Sequence, residues 1–283
     1  MSRSLSMMLW GMVAFYAAVI LLRPLGVIPP NLNMPLGALL PLGFALLHGS
    51  KQYRWRDMLA FAALCLVVSN LFENLSILTG FPFGHYHYSA AFRPKLFLVP
   101  VLIGLAYLGM GYLSWTLARL ILDGPRPRGE RMVAVPLIAS FIMVSWDLTF
   151  DPGASTIGGS WIWQDGGAYF GVPVTNFLGW ILTVYVFFQL FALYLAQRPA
   201  RPVRTNLRAL QSLWWPAWAM VAATAFRPVW TLLFLPPGPA AVTDPAGVTW
   251  NVAAIYGACA LAAIFAMGPF LALGLIRLTE RAR

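Results

Sequence analysis

Apolar runs divide this sequence so regularly that they dictate its fold before any motif is considered. They fall at residues 7–28, 33–48, 57–79, 95–122, 131–150, 175–197, 209–235 and 249–276. About 20 mainly apolar residues let a helix cross the hydrocarbon core of a bilayer. Only helices and closed barrels satisfy their backbone groups there. Of the 283 residues, 60% are hydrophobic and 10% charged, with a mean hydropathy of +0.72; soluble domains carry about 25% charged residues. The expectation is an all-α, polytopic membrane helix bundle of about eight spans, with residues 1–283 as a single multi-pass domain. The run at 33–48 is short and contains Pro35 and Pro41, which makes it the weakest span. The first run continues to Arg23 and Pro24 without a small-residue cleavage site, so it reads as a helix rather than a signal peptide.

Charge orients the bundle. Alternate connections hold Arg3; Lys51, Arg54 and Arg56; Arg119, Arg126, Arg128 and Arg131; Arg198, Arg201, Arg204 and Arg208; and Arg277, Arg281 and Arg283, which is 15 of the 19 basic residues. The opposite connections hold only Arg23, Arg93, Lys95 and Arg227. The positive-inside rule predicts both termini in the cytoplasm. The net charge of +10 is spread over these short clusters, as expected for loops facing anionic lipid, and no nucleic-acid motif accompanies it. Cys65 and Cys259 both lie in apolar runs and read as packing residues.

The acids separate by position. Asp57, Asp123, Glu130 and Glu280 lie near basic residues at the cytoplasmic ends, and Asp165 and Asp244 fall in outer loops where water can solvate them. Glu73, Asp147 and Asp151 are different, because they lie in the outer parts of spans, as does Arg227. Ionisable residues inside spans usually face the bundle interior and mark a functional path. The bland alternative is an ion pair between Arg227 and one of the acids. In "WDLTFDP" (146–152), Asp147 and Asp151 share one face if the helix continues, and like charges that close oppose joint ionisation. Such a pair suits proton donation. The competing reading is that Pro152 ends the helix and turns Asp151 into water.

Two loops flank these acids. "TGFPFGHYHYS" pins a turn with Gly80, Pro82 and Gly84 and then alternates His85, Tyr86, His87 and Tyr88. Two histidines fall short of the three protein ligands of a catalytic zinc site, and His48, the third in the chain, lies toward the other end, so the segment reads as polar and aromatic interface with no metal expected, a mixed site with Glu73 or Asp147 being the weaker alternative. The loop after the fifth run is rich in glycine and aromatic residues and has no basic residue to hold a phosphate. Trp146, Trp161, Trp163, Tyr169, Phe170 and Trp180 could form an aromatic wall beside the carboxylates, and aromatic faces stabilise cations. Asn176, at the start of the sixth run, could orient a water or a carboxylate.

The segments "ENLSILTGFPFGHYHY" (73–88), "DLTFDP" (147–152) and "YFGVPVTNFLGW" (169–180) resemble, in that order, membrane carotenoid-biosynthesis proteins acting as cofactor-independent carotenoid 1,2-hydratases, of the γ-carotene and bisanhydrobacterioruberin hydratase type. The resemblance implies addition of water across the terminal C=C of an acyclic carotenoid, giving a tertiary alcohol, with neither a redox cofactor nor a nucleotide. The implied substrate is γ-carotene, lycopene or a longer acyclic carotenoid, taken from the membrane lipid of a bacterial cytoplasmic membrane with the site in its outer half. Chemistry then assigns the roles: Asp147 as acid, Asp151 as its partner, and Glu73 to position or deprotonate the water. Tyr86, Tyr88, Trp163, Tyr169, Phe170, Asn176 and Trp180 would bind substrate or line the cation site, and Arg227 would tune the cluster.

Two other readings compete. The spacing in "DLTFD" also matches the Asp-x-x-x-Asp motif with which membrane prenyltransferases hold Mg²⁺ and a diphosphate, although the motif occurs once and lacks basic neighbours. A proton-coupled transporter or a carotenoid-binding protein is the third reading. Transporters often carry internal repeats, and here only "AFRP" recurs, at 91–94 and 225–228.

Overall fold

The computed structural model describes residues 3–122, 128–198 and 207–280. Asp123, Arg126, Arg201, Arg204, Arg281 and Arg283 lie outside the described residues, as do the side chains of Arg3 and Arg208. The fold is a helix bundle. Its helices are α1 (Arg3–Leu22), α2 (Pro30–Gln52), α3 (Trp55–Thr79), α4 (Val101–Ile121), α5 (Arg131–Leu148), α6 (Val174–Ala196), α7 (Leu207–Leu233), α8 (Val252–Ala262) and α9 (Gly268–Glu280). Short strands occupy the connections: β1 (Tyr86–Tyr88), β2 (Lys95–Leu96), β3 (Val99–Pro100), β4 (Trp161–Trp163), β5 (Ala241–Thr243) and β6 (Thr249–Asn251).

Among the described residues, seven helical segments are long and apolar enough to cross a membrane, with α8 and α9 counted as one path. The chain is an integral membrane protein. The remaining helix, α7, has 27 residues and carries Trp, Pro216, Pro228 and Arg227, which dilute its hydropathy. At 1.5 Å per residue it is about 40 Å long, enough to accompany the others. The second span is longer than its apolar run predicts. α2 takes in 23 residues with Pro35 and Pro41 inside it, as membrane helices tolerate when neighbours and local adjustment satisfy the freed backbone groups.

Large apolar side chains on one face of α3 point outward at helical spacing, with Leu59, Val67, Leu71 and Leu78 between 57% and 72% exposed. Such a stripe belongs in lipid. The core gathers instead around α4, which is buried almost continuously from Tyr107 to Ile121. Gly109 lets α2 approach it closely, since a Cβ there would lie 2.7 Å from the Leu42 backbone nitrogen.

The connections are equally built. α3 ends on Gly80, whose φ of 80° no branched residue adopts readily. The Ser76 hydroxyl then donates to Gly84 O and accepts from Phe83 N–H, fixing the turn that follows. β1 pairs with β4 in antiparallel register, Tyr86 opposite Trp163 and Tyr88 opposite Trp161. Successive strand residues face opposite sides, so the four aromatic rings are buried while His87 faces out.

Asp244 departs from the expectation of a solvated loop acid. It is buried, and its carboxylate accepts from Val248 N–H at 2.9 Å and Trp250 Nε1 at 2.8 Å, holding the β5–β6 turn. Asp57 is buried as well, accepting from Arg54 N–H and Tyr194 Oη at the start of α3. Cys65 and Cys259 are unpaired and buried.

Candidate active site

The helical path through α5 does not stop at Pro152. It continues through a widened turn at Gly153–Ile157, in which Gly158 N–H bonds to Gly153 O. Widened turns of this kind recur at functional sites. Here the turn carries Asp151 inward, leaving it 1% exposed, beside Asp147 at 2%. The alternative in which Asp151 turns into water is therefore overturned.

Asn176, in the first turn of α6, joins the pair. Its Nδ2 donates to Asp151 Oδ2 at 2.7 Å and to Asp147 Oδ2 at 3.2 Å. Trp161 Nε1 donates to Asp151 Oδ1 at 2.9 Å. Trp163 approaches the same carboxyl group, yet its buried Nε1 completes no hydrogen bond. Asp151 thus accepts from two N–H groups, and Asp147 from one.

Glu73, six residues from the end of α3, faces the same space and is 4% exposed. Tyr86 and Tyr88 both donate to its Oε2, Tyr88 at 2.7 Å, and Tyr107 of α4 donates to Oε1 at 2.8 Å. A carboxylate only accepts, so three phenols on one group suit its ionised form. Burial first, and then the neighbouring Glu73, hold the phenols of Tyr86 and Tyr88 well above the usual tyrosine value. They remain donors at any ordinary pH.

These groups line one cavity of about 80 Å³. A water needs only about 10–15 Å³ of such space, so a slender apolar group and a water fit together. The polar end is made by Glu73, Tyr86, Tyr88, Asp147, Asp151, Trp161, Trp163 and Asn176. Trp180 lies flat on Tyr107, with ring centroids 4.5 Å apart. The apolar arm runs between α2 and α4, past Met34, Gly37 and Ala38 on one side and Ile103, Ala106 and Met110 on the other.

Of the residues singled out from sequence, the structure brings together Asp147, Asp151, Glu73, Tyr86, Tyr88, Trp163, Asn176, Trp180 and Arg227 on this cavity. Tyr169 and Phe170 are not on it, which corrects their expected place in the wall. Tyr169 donates to Leu148 O at 3.1 Å and packs against Phe177. Phe170 has a φ of 53°, which turns its ring onto Trp250. Among the described residues Arg227 makes no ion pair with an acid; its guanidinium lies 4.7 Å above the Phe150 ring. Tyr107 escaped notice in the sequence, where a tyrosine in a span looks like any belt aromatic. His85 and His87 face away from the cavity, toward Asp165 at 3.0 Å and Gln164 at 3.4 Å. Among the described residues no group of three His, Cys, Asp or Glu side chains could hold a metal ion.

Comparison with known proteins places the chain in a family. A stretch of 135 residues, 46% of the chain, is 33% identical to bisanhydrobacterioruberin hydratase of Haloarcula japonica. The match spans 44% of that protein, so less than half of its length is represented. No solved structure matches the chain. The carotenoid biosynthesis protein family matches residues 34–249, a stretch that contains every carboxylate of the cavity together with its tyrosine and asparagine partners. A buried acid cluster at the head of an apolar cleft, within a bundle made for lipid, thus belongs to a member of the carotenoid biosynthesis protein family.

Proposed function

We propose that this protein is a carotenoid hydratase that adds water across the terminal C1=C2 bond of an acyclic carotenoid end. The observation that carries this reading is the asymmetric engagement of the two aspartates. Asp151 is held by Trp161 and Asn176, whereas Asp147 Oδ1 accepts no hydrogen bond from the described residues. That oxygen can carry a proton into the cavity.

The chemistry follows in order. Asp147 donates its proton to C2, the less substituted carbon, and the π pair forms the new C–H bond. The cation left at C1 is tertiary. Ionised Glu73, fixed by its three phenols, lowers the energy of that cation through space, and the faces of Trp163 and Trp180 add to it. Water attacks C1, and the proton it loses returns to the Asp147–Asp151 pair. Three phenols already occupy most of the roughly four acceptor sites of Glu73, so the role of receiving that proton falls to the aspartates. Over the cycle one water is consumed: its hydroxyl is added at C1, and its second proton replaces the one that the acid gave to C2.

The distribution of basic residues supports cytoplasmic termini and a site in the outer half of the membrane. The polyene would remain in the bilayer, as its solubility demands. A prenyltransferase would need the Asp147 and Asp151 oxygens for Mg²⁺, yet the three hydrogen bonds made to them all come from N–H donors, which occupy lone pairs that a cation would need.

The test is chromatography with mass spectrometry on pigments from a bacterial host making lycopene or γ-carotene, with and without this protein. A pigment heavier by one water with unchanged polyene absorption supports hydration. Turnover by purified protein that survives chelation excludes the Mg²⁺-dependent alternative. Absence of any hydrated pigment, with longer acyclic carotenoids also supplied, overturns the reading.

A further inference from the structure

The apolar arm of the cavity has a construction of its own. Asn33, Met34, Gly37 and Ala38 form one face of α2, and Leu102, Ile103, Ala106 and Met110 form the facing side of α4. Both walls follow helical spacing over about two turns. Farther along the same pair of helices, Gly109 against the Leu42 backbone shuts the gap, so the arm cannot continue down the bundle. Gly37 contrasts with Gly109. A Cβ added at Gly37 would meet nothing within 4 Å, although the residue belongs to the cavity wall and is not fully exposed.

Two polar atoms on this cavity also await a partner. Trp163 Nε1, on a residue 4% exposed, and Asn33 Oδ1 are buried without a hydrogen bond. Buried polar groups are normally satisfied by protein or by water, and a hydrocarbon chain offers no such bond, so these two atoms mark places for water beside the chain.

We propose that the cleft between α2 and α4 carries the polyene away from the acid cluster, and that the open position at Gly37 determines which carotenoid ends are admitted. A conjugated chain is flat and rigid, so it needs a slot without obstruction. Met34 and Met110, which are polarizable and adaptable, suit contact with such a chain. Gly37 is a specificity-determining residue, not a catalytic one. This inference rests on the hydratase reading for its substrate class, but its binding test is independent of turnover.

Two measurements test it on the full-length protein in detergent, with lycopene as the probe. The first compares Gly37→Cys with Leu39→Cys, which lies on the same helix and is 45% exposed, by the rate of maleimide labelling. Saturating lycopene should slow labelling at position 37 at least about fivefold and leave position 39 unchanged. The second compares Gly37→Leu with the parent protein. The added side chain has room, so the fold is retained, while KM for lycopene should rise at least about tenfold, the scale of a few methylenes in an apolar pocket, with kcat little altered. Equal labelling with and without lycopene, or an unchanged KM in Gly37→Leu, overturns the proposal. Protection at position 37 without any hydrated product would instead reject the hydratase reading and keep the cleft.

Discussion

Tyr107 on α4 donates to Glu73 on α3 at 2.8 Å, and the same ring is stacked on Trp180 of α6. One side chain therefore ties three helices together at the level of the acids. Tyr107→Phe should keep the stack and remove only the hydrogen bond. Bonds to charged groups contribute about 1.5–3 kcal/mol. Hydrated product should fall about 10- to 100-fold while the protein still accumulates in membranes. Turnover within twofold of the parent would show that this donor is dispensable.

Asp147→Asn keeps the shape of the side chain and removes the transferable proton. General acid catalysis typically contributes about 10²- to 10⁴-fold, so hydrated pigment should become undetectable in cells that carry normal amounts of the variant. Asp151→Asn should also impair turnover, because Trp161 and Asn176 would then face an amide in place of a carboxylate. Near-normal activity of Asp147→Asn would remove Asp147 from the donor role.

How far these features could be read from the sequence depends on the range of the interactions behind them. The spans were legible because lipid forces each apolar run to satisfy its own backbone. The aspartate pair was legible because i, i+4 spacing is local, and Glu73 because an acid inside a span is expensive wherever it falls. Less local features escaped. β1 and β4 are each three residues long, too short to show a period, and their register arises only when two distant loops meet. That pairing buries Tyr86 and Tyr88 and turns the neighbouring histidines outward. Asp244 looked solvated because its donors, Val248 N–H and Trp250 Nε1, converge only after the hairpin closes. Tyr169 and Phe170 share the aromatic composition of the true wall, and only the left-handed backbone at Phe170 directs that ring elsewhere.

The phenols on Glu73 give a stability signature at alkaline pH. Tyr86 and Tyr88 are held well above the reference value of 10.0 in the folded protein, chiefly by burial. The native state then binds more protons than the unfolded state once pH exceeds about 10, so stability falls as pH rises from there. Below that value these groups contribute no slope. Melting of the detergent-solubilised protein should be insensitive to Tyr86 and Tyr88 between pH 7 and about 9. Above about 10 each tyrosine should contribute a loss of up to about 1.4 kcal/mol per pH unit. Tyr88→Phe should make that alkaline decline shallower, and an identical slope in the variant would show that Tyr88 ionises as freely folded as unfolded.

The turn before β1 offers a test of how position, separate from chemistry, controls the site. Gly179 on α6 packs against that turn so tightly that a Cβ would lie 2.7 Å from the Phe83 ring and 2.8 Å from the Pro82 carbonyl. The backbone of Pro82 cannot yield as a flexible side chain would. Gly179→Ala must therefore push the turn away from α6, and β1 with it, moving Tyr86 and Tyr88 relative to Glu73. Overpacking of this kind costs about 1–3 kcal/mol. The variant should melt lower than the parent and lose activity more severely than its stability alone would cause, because misplacement by about 1 Å can reduce rates about 100-fold. Activity measured well below the melting temperature, on folded protein, separates the two effects. Full activity there would mean that the Tyr86–Tyr88 strand tolerates displacement and that its hydrogen bonds to Glu73 do not set the rate.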